Sequence, residues 1–285
     1  MTTNFLLGAP KSGTTWLAGA LSQHPELCVS NPKEPNVIAS HKGTFTRENS
    51  EPDLQKYEKF FAGEGSRIDC SAHALYCHLA PNRVRELFPE ARFIVCLREP
   101  VSRAESHWNM ILDTEEDRRN GSDWGNFSSA WSDERFRVCC LYGAAMERWL
   151  DEFDLDRFIL IESSRMRSEP QAVCDEICSH LGIHNYEFDF SAIINANVRT
   201  KRKMTLLGSL VRRLVGIAAK WVKSPFVLWV RRRNINVYQF PLMSSTDAEG
   251  SRRIDDEGTM TVRDFVAGDL VVLNRLTGFN TSEWQ

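Results

Sequence analysis

The sequence has no CxxC pair among its eight cysteines, at 28, 70, 77, 96, 139, 140, 174 and 178. That spacing excludes a zinc ribbon and a thioredoxin-type motif. Most of the cysteines sit in apolar runs such as Ile94-Val95-Cys96-Leu97, the setting of reduced, buried thiols in a cytosolic protein. No uncharged apolar stretch approaches the ~18–20 residues of a membrane-spanning helix. Met1-Thr2-Thr3-Asn4 carries no basic run, and the apolar stretch after it is too short for a signal peptide, so a cytoplasmic chain is expected. Internal repeats and Pro/Ser-rich linkers are also missing, which predicts one domain over 1–285. A net charge of -3 gives no global reason to expect nucleic acid. With 42 % hydrophobic and 26 % charged residues in 285, the chain can bury a sizeable core without staples, which excludes intrinsic disorder and a disulfide scaffold.

What is present alternates between strand and helix patterns. Phe5-Leu6-Leu7 is a short apolar strand ending at Gly8. A helix opens near Thr14, with Trp16, Leu17, Ala20 and Leu21 on one face, and Pro25 ends it. Residues 41–58 are polar and charged, a surface loop running into a short helix at 54–61. Residues 67–70 and 158–161 read as strands, and Phe93–Leu97 as the clearest buried strand. Further helices are expected at 82–88 with Asn82 as cap, at 137–152, and at 169–181 with Gly182 at the end. The alternation predicts an α/β fold, a P-loop-like parallel sheet flanked by helices on both faces.

Two segments carry chemistry. Gly8-Ala9-Pro10-Lys11-Ser12-Gly13-Thr14-Thr15 joins the first strand to the first helix. A loop there aims backbone N–H groups and a helix N-terminus at an anion. Lys11 adds a point charge, and Ser12, Thr14 and Thr15 add hydroxyl donors. The pattern is not Walker A, because Lys11 precedes Gly13 instead of following it. The second segment, Arg98-Glu99-Pro100-Val101-Ser102-Arg103-Ala104-Glu105-Ser106, follows the buried strand directly. Ligands of open α/β sheets bind at the carboxyl ends of strands. Pro100 suits a first helical turn, which sets Ser102 and Ser106 one turn apart on one face. Arg98 and Ser106 are thus candidates to grip a second anion; alone, Arg98 reads equally as a surface arginine paired with a carboxylate.

Together the segments resemble the sulfotransferases that use 3′-phosphoadenosine 5′-phosphosulfate (PAPS). The first looks like the 5′-phosphosulfate loop of that family, and 93–107 like its 3′-phosphate segment. The resemblance implies PAPS as donor and 3′,5′-ADP as product, with Pro10, Lys11, Ser12, Gly13, Thr14 and Thr15 at the phosphosulfate. It implies Lys11 at the bridging oxygen and Arg98 and Ser106 on the 3′-phosphate. Lys33-Glu34-Pro35 resembles a segment of the glycan-modifying branch in which the Glu is the general base. That likeness implies Glu34 as base, Lys33 beside it, and a carbohydrate or glycoconjugate hydroxyl as acceptor. The bland reading of Glu34 is a loop carboxylate paired with Lys33. Residues 140–150 look like the family's Tyr-containing helix, which puts Tyr142 among the acceptor-side candidates. Residues 265–284 resemble its C-terminal helix and closing Trp. At 69–72 the chain reads Asp-Cys-Ser-Ala where relatives tend to read Glu-Lys-Ser/Thr-Pro, so Cys70 stands where a second lysine is common. His73 lies just beyond as a further acceptor-side candidate. No metal is expected. A nucleotide kinase and a non-catalytic PAPS-binding or membrane-associated module are the alternatives.

One absence remains. No Asp or Glu occurs from Phe190 through Thr246, where eleven Lys and Arg fall between Arg199 and Arg233. Apolar residues at helical spacing from Leu206 to Ile217 predict a basic helical insertion over 199–233. Four readings fit: Lys201, Arg202 and Lys203 over the donor's 3′-phosphate, a surface for an anionic acceptor, an amphipathic helix on an anionic membrane, or a solvated helix face. The membrane reading adds a peripheral position at the inner face. The aromatics are not spaced as a nucleic-acid stacking platform.

Overall fold

The computed structural model describes residues 2–191, 193, 201–204, 243–246 and 252–284. In chain order its elements are β1 (Thr3–Gly8), α1 (Thr14–Leu21), β2 (Leu27–Val29), β3 (His41–Lys42), β4 (Thr46–Arg47), α2 (Leu54–Glu58), β5 (Ser66–Asp69), α3 (Ala80–Leu87), β6 (Phe93–Leu97), α4 (Pro100–Thr114), α5 (Glu116–Arg119), α6 (Phe127–Ser132), α7 (Glu134–Arg137), α8 (Tyr142–Leu150), β7 (Phe158–Glu162), α9 (Arg165–Ser168), α10 (Pro170–Leu181), β8 (Lys201–Met204), β9 (Met243–Thr246) and α11 (Asp256–Thr277). Where one domain was expected, the chain divides into two units, Met1–Asn197 with Arg252–Gln285, and Val198–Ser251.

In the larger unit five parallel strands run in the order β2-β5-β1-β6-β7. Every residue of β1 and β6 is buried. Strands covered on both faces read as continuous apolar runs, which is why both were visible in the sequence. Successive side chains then point to opposite faces. Phe5, Leu7, Phe93, Val95 and Leu97 join Trp108, Trp149, Val266 and Leu270 in one core. Leu6, Ile94 and Cys96 join Leu17, Leu21, Cys174 and Ile177 in the other. Each such fully buried side chain contributes about 1.5–3 kcal/mol. Asn4, a buried polar residue of β1, is satisfied: its Nδ2 donates to Ser66 Oγ at 2.8 Å and its Oδ1 accepts from Arg92 N at 3.0 Å. The α/β expectation is met, and all eight cysteines are buried free thiols.

Several boundaries differ from expectation. The helix expected at 82–88 starts at Ala80 with Pro81 in its first turn, and Asn82 bonds Glu86 instead of capping. The polar loop 41–58 contains the small antiparallel ribbon β3-β4. The long helix expected at 137–152 is three pieces: α7, a 3-10 turn over Val138–Cys140, and α8. Its break has a tertiary cause. Asp269 on α11 accepts from Gly143 N at 2.7 Å and Ala144 N at 2.8 Å, so a remote carboxylate caps a new helix start. We expect Asp269→Ala to destabilise the fold by about 1–2 kcal/mol, a few degrees in Tm, read by thermal melting. An unchanged Tm would remove the cap from the account. The C-terminal helix begins at Asp256, earlier than residue 265, and buries Val262, Val266, Leu270 and Leu273.

In the smaller unit, β8 and β9 pair as an antiparallel ribbon. At Lys201–Met204 the expected basic helix is therefore a strand; the rest of 199–233 lies outside the described residues. Among the described residues no helix is long and apolar enough to cross a membrane.

Candidate active site

From β1 the chain moves to β2 on one side of the sheet, and from β6 to β7 on the other. The crevice at the ends of β1 and β6 is thus the topological switch point, where open α/β sheets take ligands. Both motif segments emerge there. The register of β1 on β6 shifts between Leu6 and Gly8, and Gly8 has φ 139°. A Cβ on Gly8 would stand 2.4 Å from the Ala72 carbonyl oxygen, so this exit from the strand needs glycine. The loop then curls on itself: Ala9 N donates to Cys96 O at 2.6 Å and Ser12 N to Ala9 O at 3.1 Å. Lys11 (φ 70°) and Gly13 (φ 88°) are left-handed, the alternation that turns successive N–H groups inward. Gly13 is the N-cap of α1 and offers no side chain to its free amides. Pro10 and Ser12 are buried, and the Ser12 hydroxyl has no partner among the described residues. Buried polar groups are nearly always paired, so an unpaired hydroxyl at a helix N-terminus fits an oxyanion. Thr14 is buried and Thr15 exposed.

The second segment is built differently. The Glu99 carboxylate accepts from Val101 N at 2.9 Å and Ser102 N at 2.7 Å, so α4 is capped by its own chain. That leaves anion binding there to side chains. Arg98, half-buried, donates from Nη1 to the Lys11 carbonyl at 3.3 Å, bringing the two segments together. Burial, and then the nearby Arg167 charge, pulls its guanidinium below the ordinary arginine range. Ser106 is partly exposed on α4. Arg167, exposed after β7, was missed by the sequence reading; its one signal is its place beyond the end of a neighbouring parallel strand.

Tyr142, an acceptor-side candidate in the sequence, is fully buried, and its hydroxyl donates to the Arg98 carbonyl at 2.7 Å, with Trp284 packed at 6.1 Å. It positions Arg98 from behind. Arg103, another residue the sequence did not single out, is fully buried on α4. Its Nη1 donates to His107 Nδ1 at 3.0 Å and its Nη2 to Cys140 Sγ at 3.0 Å. Because arginine only donates, His107 Nδ1 accepts and its Nε2–H donates to Thr44 Oγ1 at 2.7 Å.

The loop that carries Lys33 and Glu34 is pinned at both ends. Ser30 Oγ donates to Lys33 O at 2.7 Å, and Asn36 N donates to Ser71 Oγ at 3.0 Å. Between them the Lys33 ammonium donates to Glu34 Oε1 at 2.8 Å, Thr14 Oγ1 at 3.3 Å and Cys70 O at 3.3 Å. Lys33 therefore ties Glu34 to the first turn of α1. His73 is buried, and burial, helped by Arg47, pushes its pKa down to about 3, so the ring is neutral at pH 7. Its Nδ1 has no hydrogen-bond partner among the described residues. The Cys70 thiol is fully buried and pushed well up by that burial, and Asp69 is a buried carboxyl bonded by Tyr57 and Ser71. Lys201, Arg202 and Lys203 lie in the smaller unit, with side chains outside the described residues. Among the described residues no three His, Cys, Asp or Glu side chains converge as metal ligands.

Comparison with known proteins gives the family and the fold. The sequence model of the sulfotransferase domain matches residues 2–202. The bifunctional heparan sulfate N-deacetylase/N-sulfotransferase 4 of Mus musculus is 28 % identical over 199 residues, 64 % of this chain and 22 % of that protein. The corresponding enzyme 3 of Homo sapiens is 27 % identical over 198 residues, with the same shares of 64 % and 22 %. The chain thus spans about a fifth of the length of these relatives. A solved sulfotransferase from Alicyclobacillus acidocaldarius has the same fold, with TM-score 0.68 at 19 % identity over 100 % of this chain and 98 % of that one.

Proposed function

The chain belongs to the sulfotransferase domain family, and from that premise we propose that it transfers a sulfuryl group from PAPS to an acceptor on a carbohydrate. The observation that carries the proposal is the contact of Arg98 with the Lys11 carbonyl at the switch point. It brings the two candidate anion-binding segments together, as one ligand bearing two separated phosphates requires. The unpaired Ser12 hydroxyl supports the same occupant.

The donor, when bound, supplies a sulfuryl group on a good phosphate leaving oxygen. The protein does the rest by position and charge. Loop amides, Ser12 and Lys11 stabilise the charge that develops on the bridging oxygen. Arg98, held by Tyr142, and Ser106 anchor the 3′-phosphate. Glu34 takes the acceptor's proton as the new bond forms. The acceptor was read as a hydroxyl. The names of the heparan sulfate relatives favour a second reading, an amine, and Glu34 serves either. The eight buried free thiols support a cytoplasmic setting.

Calorimetry with 3′,5′-ADP, ADP and Mg-ATP tests the donor. Binding that requires the 3′-phosphate supports the proposal; preference for Mg-ATP points to a kinase and overturns it. Transfer of label from [35S]PAPS to heparosan, N-acetylated or N-deacetylated, then separates hydroxyl from amine. Binding without transfer to any acceptor leaves the non-catalytic module. Arg98→Ala should weaken 3′,5′-ADP binding roughly 10–150-fold, the equivalent of one charged Arg–phosphate contact of about 1.5–3 kcal/mol. Equal affinity would remove Arg98 from the 3′-phosphate.

A further inference from the structure

Neighbouring side chains on an extended chain point to opposite sides, so an ion pair between consecutive residues needs a bent backbone. Residues 31–33 supply the bend, and the bonds of Ser30 and Asn36 hold it. The result is one ammonium with three oxygens from three segments: the Glu34 carboxylate, the Thr14 hydroxyl in the first turn of α1, and the Cys70 carbonyl at the end of β5. The bonds are unequal. The one to Glu34 is 2.8 Å and ionic; the other two are 3.3 Å and go to neutral oxygens. Position 70 itself brings no charge, because its side chain is a fully buried thiol. The positive charge beside the base comes from the loop.

We propose that Lys33 is a positioning residue that couples proton removal at Glu34 to sulfuryl transfer at the donor loop. This rests on the reading of Glu34 as base and PAPS as donor. In the resting site the ammonium is the counter-ion of Glu34 and aims its carboxylate. In the transfer step the bond from the acceptor heteroatom to sulfur forms and the bond from sulfur to the bridging oxygen breaks. The electron pair of the broken bond stays on the phosphate oxygen, and the acceptor's proton goes to Glu34. Glu34 is then neutral, and the ammonium loses the charged partner that holds it in the resting site while negative charge grows beside Thr14. Lys33 Nζ already touches Thr14, so its charge shifts toward the donor side without travelling. The design ties the two halves of the reaction: a donor-side cation becomes available only when the acceptor has lost its proton.

The test uses the full chain as wild type, Lys33→Met, Lys33→Arg, Glu34→Gln and the Lys33→Met/Glu34→Gln double variant. Turnover is read as label leaving [35S]PAPS for N-deacetylated heparosan, with water as acceptor in a parallel arm. Donor-site integrity is read as 3′,5′-ADP affinity by calorimetry. Lys33→Met should lower kcat about 100-fold, the scale of losing one transition-state donor, and leave the 3′,5′-ADP Kd within roughly threefold, under 1 kcal/mol. Retained 3′,5′-ADP binding shows that the variant is folded. Lys33→Arg should recover part of kcat by keeping the charge. The double variant should be no slower than Glu34→Gln alone, because a residue acting through Glu34 has nothing to couple once the base is gone. Unchanged kcat in Lys33→Met, a Kd that weakens as much as kcat falls, or losses that multiply in the double variant would each overturn the coupling. Failure of the underlying reading shows elsewhere: a wild type inert in both arms, or Glu34→Gln turning over like wild type, removes the base and the coupling with it.

Discussion

Glu34→Gln is expected to lower kcat about 10²–10⁴-fold, the usual contribution of a positioned general base. The substitution is nearly isosteric. Its amide oxygen can still accept from Lys33, and the bond from Asn36 Nδ2 goes to the backbone carbonyl at 3.1 Å, which the change does not touch. Glu34 is partly exposed, so no buried group loses a partner and the fold should melt where the wild type does. What the amide cannot do is take a proton. A hydroxyl or amine acceptor must lose one as it bonds to sulfur, and the other side chains nearby are poorly placed to help. Asp69 is fully buried and occupied by Tyr57 and Ser71. His73 is buried, and a pKa near 3 makes its ring a poor proton acceptor at pH 7. Affinity for 3′,5′-ADP should be unchanged, because in the proposed mechanism Glu34 serves the acceptor and not the adenosine phosphates. Wild-type turnover in this variant would end the assignment of Glu34 as base and leave the site with donor binding alone.

The segments of the proposed donor half were legible in the sequence, and the proposed acceptor half was legible only as a list of residues. The difference has a physical origin. β1 and β6 are short runs buried on both faces, and each is followed at once by its functional segment, so local sequence carries both the strand and the loop. Tyr142 could not be placed that way. Helical periodicity runs unbroken through 137–152, and the group that splits it, Asp269, lies 126 residues further along the chain from Gly143. Arg103 reads locally as one more charged residue on an amphipathic helix. Its burial depends on Cys140, 37 residues away, and on a histidine held in one tautomer by that same guanidinium. Lys33 and Glu34 were read as adjacent candidates, but their meeting with Thr14 depends on a bend whose anchors at Ser30 and Ser71 come from different strand ends. His73 looked available because the sequence shows its neighbours and not the shell that buries it.

Lys11→Ala is the second large expected effect, and its signature differs from that of Arg98→Ala. Lys11 sits at φ 70°, a conformation that any residue with a Cβ adopts at a cost of about 1–2 kcal/mol. Alanine also has a Cβ, so the backbone strain is the same in both proteins and the loop keeps its shape. The variant thus removes the ammonium and little else, which glycine at this position would not do. In PAPS the bridging oxygen carries little charge; in the transition state it carries much more, and in 3′,5′-ADP it belongs to a free phosphate. A lysine aimed at that oxygen therefore binds the substrate weakly and the transition state and product strongly. Lys11→Ala should lower kcat roughly 10²–10³-fold, leave KM for PAPS nearly unchanged, and weaken product inhibition by 3′,5′-ADP. Arg98→Ala should weaken PAPS and 3′,5′-ADP together, because the 3′-phosphate does not change during the reaction. Steady-state kinetics with 3′,5′-ADP as inhibitor reads both patterns. If Lys11→Ala raised KM for PAPS in step with its loss of product affinity, Lys11 would be a uniform phosphate contact, and the stabilisation of the leaving oxygen would have to come from the Ser12 hydroxyl and the loop amides.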